Sequence, residues 1–249
     1  NGSTISLNGF GQGKVYWGKS IEDVMKALGH VHDLDYTKPG FSTKLNFIHR
    51  KTREADIYFV ANEKPQPENL ELRFRVDGRI PELWDADKGT SEAVSYRIEK
   101  GTTIIPYNFD PFGSVFVLFR EKAKALSVDL PARIVQDRQV LKGSWMVNFP
   151  PLFKNTTQVR LDSLQSWSTL TDSTLRYFSG TATYTKSFTQ QKVEPGKKYW
   201  LNLGDVREIA EVTLNGKPLG IIWKTPYAVE ITRFLKAGNN SLEVRVTNL

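Results

Sequence analysis

Residues 201–246 read LNLGDVREIAEVTLNGKPLGIIWKTPYAVEITRFLKAGNNSLEVRV, and the rhythm of this stretch decides the fold. Apolar and polar residues alternate through Ala210–Leu214, the chain reverses at Asn215-Gly216, and alternation resumes at Leu219. Side chains of a strand point to opposite faces in turn, so a period of two marks strands with one face on a core. Asn-Gly is a strong hairpin signal, because a type I′ turn needs positive φ at both central residues. Near the end, Leu242, Val244 and Val246 share one face, and Glu243, Arg245 and Thr247 the other. The stretch is therefore a run of short antiparallel strands.

The same pattern extends upstream. Strands are expected at Trp145–Phe149, Gln158–Leu161, Thr181–Phe188 and Tyr199–Leu203, followed by Ala210–Leu214, Leu219–Trp223, Tyr227–Ile231 and Ser241–Val246. Thr232–Leu235 reads as one helical turn, ended by Gly238. Residues 41–119 form a second all-strand region. Leu70, Leu72, Phe74 and Val76 alternate with Glu71, Arg73, Arg75 and Asp77, and Asp77-Gly78 reads as a hairpin turn. Strands are expected also at Asp56–Val60, Val94–Ile98, Thr102–Tyr107 and Ser114–Phe119. The last is apolar on both faces, hence central in its sheet. Many short strands at this spacing argue sandwiches. Glu121–Lys142, with Pro131, reads as a charged linker.

Residues 1–35 differ. Ile5–Leu7 and Lys14–Trp17 read as short strands. Ser20-Ile21-Glu22-Asp23 opens a helix through about Leu28, and Gly29 stops it. This piece is too small for its own core and reads as the tail of an upstream domain. The expected organisation is all-β: residues 1–38 as a short α/β remnant of that domain, 39–122 as a β-sandwich, and 123–249 as a jelly roll.

Composition narrows the function. A chain of 249 residues can bury one large or two modest cores. Its net charge of +7 comes from 34 Lys+Arg against 27 Asp+Glu, largely interleaved as in Arg120-Glu121-Lys122. No nucleic-acid motif accompanies it. No apolar run has the length of a membrane span, and no secretion signal is present. The opening Asn1-Gly2-Ser3, without an initiator Met, reads as cut from a longer chain. Absence of cysteine excludes disulfides and thiolate metal sites.

Motifs with chemical potential each have a plainer reading. Gly9-Phe10-Gly11-Gln12-Gly13 has the glycines of a phosphate loop but leads into a strand, so it reads as a glycine hairpin. His30-Val31-His32 lacks a third ligand at metal spacing and reads as a surface loop. His49 is assigned structural hydrogen bonding. Trp84-Asp85-Ala86-Asp87-Lys88-Gly89 lacks the glycine and glutamate positions of a calcium loop and reads as a turn between strands. No Gly-x-Ser-x-Gly occurs, and sequence cannot pair carboxylates across a glycosidic bond, so no catalytic residue, metal ligand or cofactor is assigned. A pyranose packs its C–H face on an aromatic ring while its hydroxyls seek amides and carboxylates. Trp167, Tyr177, Trp223 and Tyr227, at strand ends or loops, and the amide of Asn215 are therefore the candidate carbohydrate-binding residues. The plainer reading makes Asn215 only a turn residue and the rings plugs of the sandwich ends.

Two resemblances sharpen this. Tyr177–Tyr184, Leu203–Val206, Val212–Lys217, Gly220, Trp223, Pro226-Tyr227, Ile231-Thr232, Leu235 and Gly238-Asn239 together resemble the galactose-binding-like jelly roll of family 2 glycoside hydrolases. His49-Arg50, Asp56–Asn62, Phe74–Gly78, Pro81–Asp85 and Gly113–Val117 resemble the C-terminal region of glycoside hydrolase family 106, the bacterial α-L-rhamnosidases. The resemblance implies a large exported parent, periplasmic or secreted, that degrades polysaccharides. Its members cleave α-L-rhamnosides with inversion, using two glutamates and a calcium ion in an N-terminal barrel. No part of that barrel is recognised here, so none of those residues carries over. The implied role is a non-catalytic accessory region, inactive alone, whose partners are the upstream barrel of the same polypeptide and carbohydrate, with neither nucleic acid nor membrane. The alternatives are a free-standing carbohydrate-binding or adhesin-type β-sandwich protein and an enzyme complete in itself.

Overall fold

The computed structural model describes residues 6–87, 89–132, 134–151 and 157–248. Asn1-Gly2-Ser3, Ile5, Lys88 and Leu249, which figure in the sequence reading, lie outside them. The chain divides into two units, Asn1–Ala132 and Arg133–Leu249.

The first unit opens with the expected hairpin, β1 (Ser6–Phe10) and β2 (Gly13–Trp17), turned at Gly11. Helix α1 (Ile21–Ala27) follows. The Ser20 hydroxyl accepts from the Asp23 amide at its N-terminus, and Gly29, at φ 72°, stands just past its end. Ten strands come next: β3 (Leu34–Tyr36), β4 (Leu45–Lys51), β5 (Asp56–Asn62), β6 (Glu68–Phe74), β7 (Arg79–Asp85), β8 (Thr90–Ala93), β9 (Tyr96–Glu99), β10 (Thr102–Phe109), β11 (Ser114–Lys122) and β12 (Ser127–Val128). They form two five-stranded antiparallel sheets, β12-β9-β10-β6-β3 and β4-β5-β11-β7-β8. Leu70, Leu72 and Phe74 meet Tyr58, Val60, Val117 and Phe119 in one core. β11 is central in its sheet, as its two apolar faces require.

Four expectations change. Asp77-Gly78 is no hairpin: β6 and β7 lie in different sheets, and the turn carries the chain across the sandwich. The Thr103 hydroxyl donates to the Val76 carbonyl (2.7 Å), and the Ala123 amide to that of Gly78 (2.9 Å), so the corner is bonded to both layers' strands. The stretch read as one strand, Val94–Ile98, is a sheet change, with β8 on one sheet and β9 on the other. Within the expected linker, β11 runs on to Lys122 and β12 pairs with β9. At the other end, β3 pairs with β6 and buries Leu34 in the core, although residues 34–36 fall within the stretch read as upstream remnant.

The second unit contains β13 (Trp145–Phe149), β14 (Thr157–Leu161), α2 (Ser173–Arg176), β15 (Thr181–Gln190), β16 (Trp200–Asn202), β17 (Ile209–Leu214), β18 (Lys217–Ile222), β19 (Ala228–Glu230) and β20 (Gly238–Thr247). A six-stranded antiparallel sheet, β14-β13-β15-β20-β17-β18, faces the pair β16-β19 through a core of Val147, Phe149, Ala182, Val212, Leu214, Leu242 and Val244. Every strand expected from the sequence here is present to within a few residues. Asn215 (φ 52°) and Gly216 (φ 73°) make the turn of the β17–β18 hairpin with both residues in the left-handed region. The protein is thus almost entirely β, arranged as tandem sandwiches. No helix among the described residues is long and apolar enough to cross a membrane.

Candidate functional site

The five candidate residues separate into two groups. Trp167 is buried, edge-on to Phe149 and Phe178 at ring distances of 5.4 and 5.5 Å, with its indole N–H donated to the Tyr184 hydroxyl. Tyr227 is also buried, and its hydroxyl donates to the Glu208 carbonyl at 3.1 Å. Burial pushes its hydroxyl's pKa up. Asn215 has its amide fully engaged: Nδ2 donates to the Phe234 carbonyl and to Asn240 Oδ1, both 2.8 Å, and Oδ1 accepts from the Ser241 amide. These three hold the sandwich together, as the plainer reading has it. Tyr177 (80% exposed) and Trp223 (59%) instead present their rings to solvent.

Both rings lie at the same end of the six-stranded sheet. Antiparallel register aligns one outward-facing residue from each strand into a rung. One rung runs Gln158, Asn148, Thr183, Arg245, Glu211, Ile221 across all six strands. The next contains Thr181, Thr247 and Ile209. Continued by one residue beyond the paired strands, its register brings in Pro150 at one side and Trp223 at the other. Tyr177 reaches this end through its loop: Asn248, directly after β20, donates from Nδ2 to the Phe178 carbonyl and accepts from the Gly180 amide, both 2.8 Å. Gly180 is required there, because its φ is 145° and a Cβ would stand 2.9 Å from the Phe178 ring.

A shallow hollow of about 470 Å³ lies over Asn148, Pro150, Thr181, Thr183 and Arg245. Gln158 donates to Asn148 Oδ1 and Arg245 to Glu211, both at 2.9 Å, and the Thr181 and Thr247 hydroxyls share a bond of 2.7 Å. A larger hollow, about 630 Å³, is bordered by Arg138–Lys142 and Ser187–Thr189. Its wall is largely one irregular stretch at the sheet's margin, whereas the smaller hollow is floored by paired strands that fix each side chain's direction. Sequence reading missed this floor, although alternate positions of the expected strands Trp145–Phe149, Thr181–Phe188 and Ser241–Val246 name it. What was not readable was the pairing order that aligns them.

The first unit uses its polar groups differently. His49 places Nε2 3.0 Å from Asp56 Oδ1 and Nδ1 3.4 Å from Asp33 Oδ2, and its ring stacks on Tyr58 at 4.0 Å. Arg75 pairs with Asp33, while Lys51 and Arg79 approach Asp56 at 3.7 and 3.6 Å. The Arg75 hydrogen bond holds the Asp33 carboxyl below its usual range against the opposing effect of burial, and His49 adds to it. Arg97 does the same for Glu71, and Arg120 for Glu82. These carboxylates are spent on structural cations. His49 is structural, as the sequence suggested, and His30-Val31-His32 is an exposed loop. Among the described residues no group of three His, Asp or Glu is placed to hold a metal ion.

Comparison with known proteins agrees with both resemblances. Residues 2–98 match the glycoside hydrolase family 106 model, alpha-L-rhamnosidase. Residues 166–249 match the glycosyl hydrolase 2 galactose-binding domain-like model. A solved rhamnosidase from Novosphingobium sp. PP1Y superposes with a TM-score of 0.90 over 97% of this chain at 33% identity. A protein of Formosa agariphila named "Putative beta-glucuronidase" is 46% identical over 112 residues, 44% of this chain. The chain spans 23% of the length of the first and 10% of the second. Both parts of the chain are therefore related to glycoside-hydrolase-family proteins.

Proposed function

We propose that this chain is a non-catalytic accessory region of a bacterial, periplasmic or secreted glycoside hydrolase of the α-L-rhamnosidase type, serving as scaffold and as carbohydrate contact in polysaccharide degradation. The observation that carries this reading is the match of nearly the whole chain to under a quarter of a rhamnosidase. The chemistry of the acids supports it. A general acid for glycosidic cleavage needs a raised pKa, whereas Asp33, Glu71 and Glu82 are held low by arginines. The N-terminal hairpin and α1 support an upstream partner in the same polypeptide: Phe10 and Ile21 are more than four-fifths exposed, and α1 buries no residue. Large apolar side chains left this exposed are candidates for a surface that packs on another part of the polypeptide.

Assay of the purified chain with aryl α-L-rhamnosides tests the reading. The expected result is no turnover above the uncatalysed rate, and hydrolysis by the chain alone would overturn it. A free-standing carbohydrate-binding protein is the second reading, favoured by the exposed Tyr177 and Trp223. It predicts glycan affinity with no dependence on any preceding domain.

A further inference from the structure

We propose that the outer face of the six-stranded sheet is a track for an uncharged oligosaccharide lying across the strands, from the hollow over β13 and β15 to the ring of Trp223. The inference rests on the accessory carbohydrate role above and supplies its site and ligand class.

Hydrogen-bonding capacity comes first. Asn148 accepts from Gln158 through Oδ1, and its Nδ2 makes no bond to another described residue. The Thr183 hydroxyl is likewise uncommitted, and Arg245 uses only Nη1 on Glu211. The floor of the hollow thus offers an amide donor, a hydroxyl able to give and take, and spare guanidinium N–H groups, the set that vicinal sugar hydroxyls satisfy. All are fixed by strands on both sides, so little side-chain and no loop ordering accompanies binding.

The ligand class follows from charge. Arg245 is already neutralised by Glu211, so an anionic sugar would have to compete with a carboxylate held at 2.9 Å. A neutral sugar only adds hydrogen bonds to the pair. On the β6–β9 sheet of the first unit, by contrast, Arg97 and Arg73 both bond Glu71.

Length follows from register. Thr181 and Thr183 on β15 are three strands from Ile221 on β18 and from Trp223, which continues its line. Three strand spacings are about 14 Å, more than a single pyranose can bridge. The Trp223 ring and the exposed Ile221 supply the apolar flank on which a sugar's C–H face packs. Lys224 Nζ lies 5.4 Å from the indole ring, and Trp223, 59% exposed, keeps surface for the ligand.

The experiment titrates the 249-residue chain, followed by NMR or calorimetry, with L-rhamnose, D-galactose and D-glucose and with rhamno-, galacto- and gluco-oligosaccharides of two to four residues. Oligogalacturonides serve as the anionic arm. The expected result is a gain of about tenfold in affinity from monosaccharide to trisaccharide in at least one neutral series, with oligogalacturonides weaker. Trp223→Ala and Thr183→Val should each lower trisaccharide affinity by about fivefold or more. Thr183→Val nearly keeps the side chain's shape, so its effect cannot be assigned to unfolding. Absence of binding in every neutral series, affinity that does not grow with length, tighter binding of the oligogalacturonides, or binding indifferent to both substitutions would each overturn the track. None of these would touch the non-catalytic part of the proposed function, which fails on turnover by the chain alone.

Discussion

The two units spend their polar residues in opposite ways. In the first, Asp33 and Arg75 belong to the β3–β6 side of the sandwich and His49 and Asp56 to the β4–β5 side, so the ion pairs tie layer to layer and leave little capacity over. In the second, the core is sealed by aromatic rings and amide bonds, and the polar residues stand in rows on the outer face with donors to spare. The first sandwich uses its charges to close itself. One that closes without them can offer its polar face to a ligand.

The first way to break this contrast is to open the second unit's aromatic seal. Trp167→Ala leaves a large void beside Phe149 and Phe178 and removes the partner of the Tyr184 hydroxyl. It should destabilise the second unit by about 3–5 kcal/mol in denaturant unfolding. A loss under about 1 kcal/mol would show that Trp167 is not part of the seal. Asn215→Ala comes next, at about 1–3 kcal/mol, because it strips the bonds to Phe234, Asn240 and Ser241 and puts alanine at a φ of 52°. Equal stability of wild type and variant would return Asn215 to the list of free sugar-facing amides.

Acid sharpens the contrast from the other side. The folded-state pKa values of Asp33, Glu71 and Glu82 are depressed, so their contribution is present in full above about pH 5 and is lost as pH falls through the unfolded and then the lower folded values. In the second unit, Asp172 and Glu194 are lowered too, but Asp172 caps an exposed turn and Glu194 sits in a part-exposed pair with Lys197, where solvent screens the gain. Between about pH 5 and about pH 3, amide protection factors, corrected for the slower intrinsic exchange at lower pH, should fall earlier in residues 34–122 than in 145–247. Simultaneous loss, or earlier loss in the second unit, would mean that the carboxylate network does not distinguish them.

What the sequence made legible follows the same division. Strands of the second unit were readable because each buries one face and shows the other, and because Asn215-Gly216 leaves the backbone a single turn type. Asp77-Gly78 carries the same turn chemistry, yet it crosses between sheets. Turn residues specify local φ and ψ, whereas the partner of the following strand is set by distant contacts such as those of β7 with β11. The candidate site shows the same limit. Trp167 and Trp223 are indistinguishable as letters at strand ends. Only the packing of Phe149 and Phe178 decides that one is core and the other surface.

The smallest expected effect on stability is therefore the most telling. Trp223 packs on no core residue cluster and stands 59% exposed, so Trp223→Ala should change unfolding free energy by less than about 0.5 kcal/mol. An exposed indole kept at the end of a paired strand for structural reasons would stabilise through its neighbours, here the Lys224 ammonium at 5.4 Å, by about 0.5–1 kcal/mol. Denaturant unfolding of Trp223→Ala beside Lys224→Ala separates the cases. If both variants lose the same amount, the ring serves its own loop. If neither does, its exposed face is available to a ligand, and the second unit keeps the open polar and aromatic surface that sets it apart from the first.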